Sequence, residues 1–371
     1  MEDELYLEVG GRAISGWTDI RVGRGIERCP SDFQIGLTEQ FPGQIDAVVV
    51  QPGDTCVVKL AADIVLTGYV DRVHYGIAEG AHTVTVVGRG KCADLVDCAA
   101  LWPGYQISGA DALGVAQKLA APYDITVSVS GNNKGARIEQ FNLMHGETAW
   151  EVIERVCRWG ALLAYDRPDG NLLLTNAGTD KAASGVRQGE NVQGASMVYA
   201  HDQRYSEYRC FAQSVEVMND VGEGGNLMAT VYDSELRRFR VREIISEAPY
   251  LLQDFAIRRA TWEMNRRAAR STVLQVTVDN WRDEAGLLWE PNTLVPVEMP
   301  LMKCGDIGAP AQMILASVNY LRDPSSGTTA QLMLMPPVAF NPIPAVQFNK
   351  LSDVAPQAGS PPELWGNEVR R

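Results

Sequence analysis

The side chains able to do chemistry are few in kind and scattered. Four histidines are present, His74, His82, His145 and His201, a small supply from which to build a triad or a metal centre. His74 and His82 flank an expected hairpin turn and read as solvated turn residues. The seven cysteines, Cys29, Cys56, Cys92, Cys98, Cys157, Cys210 and Cys304, are an odd set with no CxxC pair and no histidine at zinc spacing. Neither a disulfide framework nor a zinc site is signalled, and they read as buried thiols in a reducing cytoplasm. The GxxxxGK(S/T), GxSxG, HExxH and EF-hand patterns are all missing. Carboxylates are plentiful, and two opposed across a sugar would suffice for a glycosidase, but abundance is not a pattern. Glu147 opens an expected helix, where a negative charge favours the dipole and can cap free N–H groups. The reading is of a chain with no catalytic, cofactor-binding or metal-binding residues, and with no enzymatic activity.

One concentration of charge remains. Between Arg237 and Arg270 stand nine arginines against four acids, Glu243, Glu247, Asp254 and Glu263. Asp254 precedes Arg258 by four residues, and Glu263 lies four after Arg259 and four before Arg267, the spacing of ion pairs along an exposed helix. Leu251, Leu252, Phe255, Ala256 and Ala260 leave an apolar strip for packing. Arg258, Arg259, Arg266 and Arg267 are therefore assigned to a subunit or domain interface in preference to nucleic acid. The net charge of −13 points the same way, since affinity for phosphate backbones needs clustered Lys and Arg. A negative wall suits a conduit that DNA passes without sticking.

The elements that must position these residues are mostly strands. With 371 residues, 46% of them hydrophobic, the chain can bury the cores of roughly two to four domains. No basic n-region follows Met1 and no apolar run is long enough to span a bilayer, so a soluble product is expected. Strands are expected at Ile45 to Val50, Cys56 to Leu60, Ile64 to Val73 and His82 to Val87, with turns at Pro52-Gly53-Asp54 and Glu79-Gly80. A helix follows from Ala112 to Ala120, with Ser108 and Asp111 resembling a capping box and Pro122 as its stop. A second runs from Thr148 to Trp159. Ala161 to Tyr165 and Asn171 to Thr175 read as a hairpin about Arg167-Pro168-Asp169-Gly170. Strands return from about residue 190, are interrupted by a helix near 249–270, and resume at Thr272 to Val278, Thr293 to Met299, Met313 to Leu321 and Thr328 to Met335. The tail from Pro336 reads as an extended or disordered arm. A repeat is visible: the order turn, strand, strand, turn, strand after Pro52 recurs after Pro291.

These residues carry a family likeness. Leu66-Thr67-Gly68-Tyr69-Val70-Asp71, followed by Val87-Gly88-Arg89-Gly90-Lys91 and Asp94-Leu95-Val96-Asp97-Cys98, resembles the first domain of the Mu-type phage baseplate hub proteins. Gln140-Phe141-Asn142 with Gly146-Glu147-Thr148, then Ile153, Arg155, Gly160 and Gly170-Asn171-Leu172, is similar to the middle domain shared with the late-control protein D group. Gly286-Leu287-Leu288-Trp289 and Pro291-Asn292-Thr293-Leu294-Val295 resemble the family's last barrel strands. The resemblance implies an α+β, mainly β chain in which two barrel-like antiparallel domains (1–98 and 189–340, the latter with the helical insertion) flank an α+β domain (99–188). A tail (341–371) follows. It implies a ring-shaped homotrimer in the virion baseplate, assembled in the host cytoplasm, adapting a sixfold tail tube to a threefold spike. Its expected partners are the spike, the tube or distal tail proteins and the wedge proteins, with DNA passing unbound through the channel and no membrane insertion. The rival readings are a tail-associated peptidoglycan hydrolase, a type VI secretion spike and a carbohydrate-binding tail-tip protein.

Overall fold

Period-two alternation of apolar residues builds the first part of the chain: β1 (Leu5–Val9), β2 (Arg12–Ile14), β3 (Asp19–Gly25), β4 (Asp32–Glu39), β5 (Thr55–Leu60), β6 (Asp63–Ala78) and β7 (Ala81–Gly90). It buries Leu5, Leu7, Val58 and Leu60 while their neighbours in sequence stay partly open. The middle part holds α1 (Ala93–Asp97), β8 (Gln106–Ala110), α2 (Ala112–Ala120), β9 (Val127–Val129), β10 (Ile138–Asn142), α3 (Ala149–Trp159), β11 (Leu163–Asp166) and β12 (Leu172–Thr175). Then come β13 (Val186–Arg187), β14 (Val192–Tyr199), β15 (Glu207–Gln213), β16 (Asn226–Tyr232) and β17 (Val241–Ser246), and after them α4 (Gln253–Arg270), β18 (Thr272–Val278), β19 (Leu294–Glu298), β20 (Ala311–Asp323) and β21 (Gly327–Met335). This computed structural model describes residues 4–39, 50–78, 81–135, 137–159, 162–178, 180–213, 226–246 and 253–340. Most of the expected strand at Ile45 to Val50, Leu251, Leu252 and the tail 341–371 lie outside the described residues.

The helix starts follow from local chemistry. Thr148 Oγ1 accepts from Glu151 N at 3.2 Å while the Glu151 carboxylate accepts from Thr148 N at 2.8 Å, a reciprocal cap at the head of α3. The expected capping box at α2 is corrected. Ser108 lies in β8, paired with Gln140, and this extended pairing moves the cap to Asp111, whose carboxylate accepts from Gly114 N at 2.7 Å. The hairpin of β11 and β12 forms as expected.

The two strand-rich parts share one sheet. Its order is β14-β18-β21-β20-β3-β4-β7-β6-β5-β1-β2, with β19 pairing β20 and β13 pairing β19. Among the described residues this path makes no closed barrel. One core serves both parts, with Leu7, Val22, Phe33 and Val58 in the same cluster as Leu274, Trp281, Tyr320 and Leu332. The middle part keeps its own core around Val115, Leu119, Val152 and Ile153. β15, β16 and β17 make a separate small sheet, carried with α4 between β14 and β18.

Pairing order repeats within the large sheet. β3 pairs β4, β4 pairs β7, β7 pairs β6 and β6 pairs β5. In the same way β14 pairs β18, β18 pairs β21, β21 pairs β20 and β20 pairs β19, every pair antiparallel. The repeat read from the sequence thus gains two strands. Register shifts fall at the same step, between Val70 and Arg72 in β6 and between Leu315 and Ser317 in β20. Both meanders leave matching turns, with Gly53 at φ 93° and Asn292 at φ 70°, a region glycine and asparagine tolerate best. Gly53 N donates to Val70 O and Val70 N to Asp54 O, while Asn292 N donates to Leu315 O and Leu315 N to Thr293 O. The two units meet where β20 pairs β3, from Ser317 opposite Gly25 to Arg322 opposite Ile20.

Candidate assembly interface

α4 seats its small residues on the small sheet: Ala256 and Ala260 are buried with Tyr208, Cys210, Ala229 and Ile244. The side chain of Phe255, expected in the same strip, lies outside the described residues. Glu263 is bracketed as its spacing predicts, by Arg259 at 2.9 Å and Arg267 at 2.7 Å. Burial pushes the Glu263 carboxyl up, but the hydrogen bonds from Arg259 and Arg267 outweigh it and hold the carboxyl below the usual range. Arg259 and Arg266 lie over the Trp262 ring at 4.6 and 4.9 Å, and Arg267 over Tyr205 at 5.5 Å. Arg266 also reaches Glu27 at 2.7 Å, in the turn after β3, and Arg270 pairs with the same carboxylate. Burial, with the charge of Arg270 next, lowers the Arg266 guanidinium from its ordinary value. The structure therefore places Arg259, Arg266 and Arg267 in contacts within the chain, and Arg258 is exposed on α4. Its expected partner Asp254 has a side chain outside the described residues.

A second group, which sequence reasoning missed, ties three parts of the chain together. Arg24, only 4% exposed, donates from Nη1 to both oxygens of Glu290 at 3.0 and 2.9 Å. Burial disfavours its charge, yet Glu290, Tyr320 and Asp166 together more than offset this and raise it. Asp166 at the end of β11 is buried and accepts from Ser31 N at 2.9 Å and Ser31 Oγ at 3.0 Å. Its burial pushes the carboxyl up, against the pull of Ser31 and Arg24. Asn292 Nδ2 donates to Tyr165 Oη and to Asn176 O, both at 3.2 Å, and its Oδ1 accepts from Gly178 N at 2.6 Å. Tyr320 Oη donates to Trp289 O at 2.5 Å, and burial raises this phenol far above its usual range. The signal available in the sequence was Arg24 itself, an arginine on the inward period-two positions of Ile20 and Val22.

Among the remaining reactive types Cys29 and Cys92 lie together, and their hydrogen bond pushes the Cys29 thiol up. His74 and His82 lie on the two strands of the β6–β7 hairpin and His145 packs on Tyr105 at 4.3 Å. Among the described residues no group of three or more His, Cys, Asp or Glu is set to hold a metal ion. Cys56 and Cys157 are buried and their thiols are pushed up to about 12, far from a thiolate nucleophile. Burial pushes Glu147 up, but the Met144 N–H, at 2.9 Å, and Arg155 hold its carboxyl below the usual range. No helix of the described residues is long and apolar enough to cross a membrane.

Three family profiles match the chain in series. Residues 4–90 match the Mu phage baseplate assembly protein GpP-like N-terminal domain, residues 92–176 the second domain of baseplate hub protein gp44-like proteins, and residues 253–343 the fourth domain of GpP. The chain is 28% identical over 347 residues to the baseplate hub protein gp44 of Escherichia phage Mu, covering 92% of this chain and 89% of that protein. The solved 43 kDa tail protein of prophage MuSo2 from Shewanella oneidensis is 29% identical, covers 92% of this chain and 100% of its own, and superposes with a TM-score of 0.79. In fold alone the likeness extends to a component of the type VI secretion system of E. coli, at 10% identity, a TM-score of 0.56, and 89% and 76% coverage. Profiles of a first, a second and a fourth domain, matched in that order, and relatives aligned nearly end to end make the chain a homologue of the Mu-type phage baseplate hub proteins.

Proposed function

We propose that this chain is the structural hub of a contractile-tail baseplate, a homotrimer that adapts a sixfold tail tube to a threefold spike and lines part of the DNA exit channel. The observation that carries it is the five-strand pairing order that occurs twice in one chain. Three copies offer six similar strand units, a match for a sixfold tube. The middle part and the small sheet with α4 occur once per chain, and so three times in the trimer, a match for a threefold spike. The net charge of −13 favours a lumen that releases DNA. In this reading residues 1–98 and 189–340 supply the two barrel-like units and 99–188 the middle domain. Arg258, Arg259, Arg266 and Arg267 on α4 are the side chains proposed to serve a subunit or domain interface, and Arg258 is the exposed one of the four. The role is structural and non-enzymatic: Glu147 and Glu263 are held by arginines, Asp124 by Lys91, and Asp166 and Asp323 by serines, each a local structural contact.

Native mass spectrometry of the purified chain, 40.6 kDa per copy, tests the reading directly. A trimer with an axial opening in electron-microscopy class averages is expected, and a strict monomer at high concentration overturns it. Peptidoglycan zymography is expected to be blank, and turnover lost on changing one carboxylate would overturn the non-enzymatic role.

A further inference from the structure

We propose that neighbouring copies join by pairing strand edges: the outer edge of β14 in one copy adds to residues Arg72–Ile77 of β6 in the next, in the register that β3 and β20 use within one chain. This rests on the trimer reading and names the surfaces that would close it.

The argument starts from β20, which is paired along both edges. One edge lies on β21 from Ile314 onward; the other pairs β19 through its first residues and, past the register shift, β3 through Ser317–Arg322. β6 holds the same place in the first unit. Its early residues pair β5, and past its own shift Arg72–Ala78 pair β7 alone among the described residues. β14 holds the place of β3, pairing β18 on one side and, among the described residues, no strand on the other. One intrachain junction is therefore present, and among the described residues the two edges that would make its equivalent pair no strand.

Stepping through the ladders from the two shifts fixes the register. Arg72 corresponds to Ser317 and Tyr75 to Tyr320, while Ser196 opposite Gln275 corresponds to Arg21 opposite Gln34. Transferring the β3·β20 pairs puts His74 opposite Val198, Tyr75 opposite Met197 and Ile77 opposite Ala195 of the neighbouring copy. The side chains fit this use. Val22, Val318 and Tyr320 at the intrachain junction are fully buried, whereas Tyr75 is 62%, Ile77 88%, Val198 50% and Tyr199 55% exposed.

Chemistry at the edge also commits it to a strand partner. Open edge strands are normally guarded by charge, proline or a covering element. β14 reads VQGASMVY, with neither a charged residue nor a proline, and it ends the sheet path. An added strand would satisfy its free backbone groups and continue the existing sheet. Because the two edges differ, the contact is heterologous, and each copy uses both edges once, which makes a closed ring when the rotation between copies is one third of a turn.

Cysteine pairs in the full chain test the register, since directly opposed antiparallel residues lie about 4.5–5.5 Å apart at Cα, within disulfide reach. Tyr75→Cys with Met197→Cys, and His74→Cys with Val198→Cys, sample both kinds of opposed pair. At least one double variant should give covalent trimers on mild oxidation, mixed single variants should give covalent dimers, and each single variant alone should give none, which controls for the native thiols. Ile77→Lys, at a fully solvated side chain, should fold normally and raise the concentration for half-association by about tenfold or more. A trimer by light scattering that neither pair cross-links, or that Ile77→Lys leaves unchanged, overturns the edge assignment while the trimer stands. A monomer at every concentration overturns both.

Discussion

The β3·β20 junction and the seat of α4 both hold segments distant in sequence, and they do so by different means. At the first, six opposed residue pairs from Ser317 to Arg322 form a backbone ladder over buried Val22, Val318 and Tyr320. At the second, arginines at the helix surface reach Glu263 and Glu27 with side chains that remain 19–35% exposed. Apolar burial is indifferent to pH and is not screened by salt, whereas exposed and half-exposed ion pairs are worth less and fade with ionic strength. The chain thus has one seam that conditions barely touch and one that they tune.

The largest change should come from Tyr320→Ala. Truncating a fully buried aromatic costs about 3–5 kcal/mol, and because one core serves both units, calorimetry should show a single transition moved down. Two separated transitions would break the idea of a shared core. Arg24→Met should cost less, about 1.5–3 kcal/mol by the loss of hydrogen bonds to a charged group. Glu290, with its side chain 46% exposed, can be rehydrated when its partner is gone. Denaturant unfolding should show this loss unchanged by added salt, and a loss that shrinks steeply with salt would place this pair with the α4 group.

Glu263→Gln should cost about 1 kcal/mol, the scale of partly solvated pairs, and its signature is in pH. The folded carboxyl of Glu263 is depressed, so its contribution is present above the ordinary value of 4.5 and fades as pH falls through the folded value. Asp166 has the opposite sign: its folded carboxyl is raised, so its contribution is full below 3.8 and is lost as pH rises through the folded value. Unfolding measured between about pH 3 and about pH 6 should therefore flatten at the acid limb in Glu263→Gln and steepen there in Asp166→Asn. The same slope in both variants would contradict the difference between the two sites. Thr148→Ala, which removes the cap of α3, is expected to cost about 0.5–1 kcal/mol and to leave both seams alone. Its loss should be the same at low and high salt.

Local patterns were readable from the sequence and long-range partners were not. Thr272–Val278 stands as read because its alternation is unbroken, and the Glu263 pairs follow from four-residue spacing within one helix. β3 was not located because Gly23, Arg24 and Gly25 interrupt its apolar rhythm. Ser108 misled because a polar residue three before an acid suits a cap, while the pairing with β10 that excludes it is tertiary. The pairs Arg24–Glu290 and Ser31–Asp166 join residues hundreds or more than a hundred positions apart, with no local signature at either end. Three strands of the repeat showed through their turns at Pro52-Gly53 and Pro291-Asn292. The other two were hidden by the long excursion between β14 and β18.

That excursion bears on how such a chain grows. In the first unit the equivalent connection, from β3 to β4, is the short turn 26–31; in the second, residues 200–271 intervene before β18 begins. A hairpin tip is the one point where chain can be added while every rung of the ladder keeps its partner, and the cost of a longer loop rises only slowly with its length. The ladder is bound by its register, whereas the graft at the tip answers only to what it touches. One half of the chain can therefore take on new parts while the other stays plain, and two units built on one pairing order become unlike without either ceasing to fit the other.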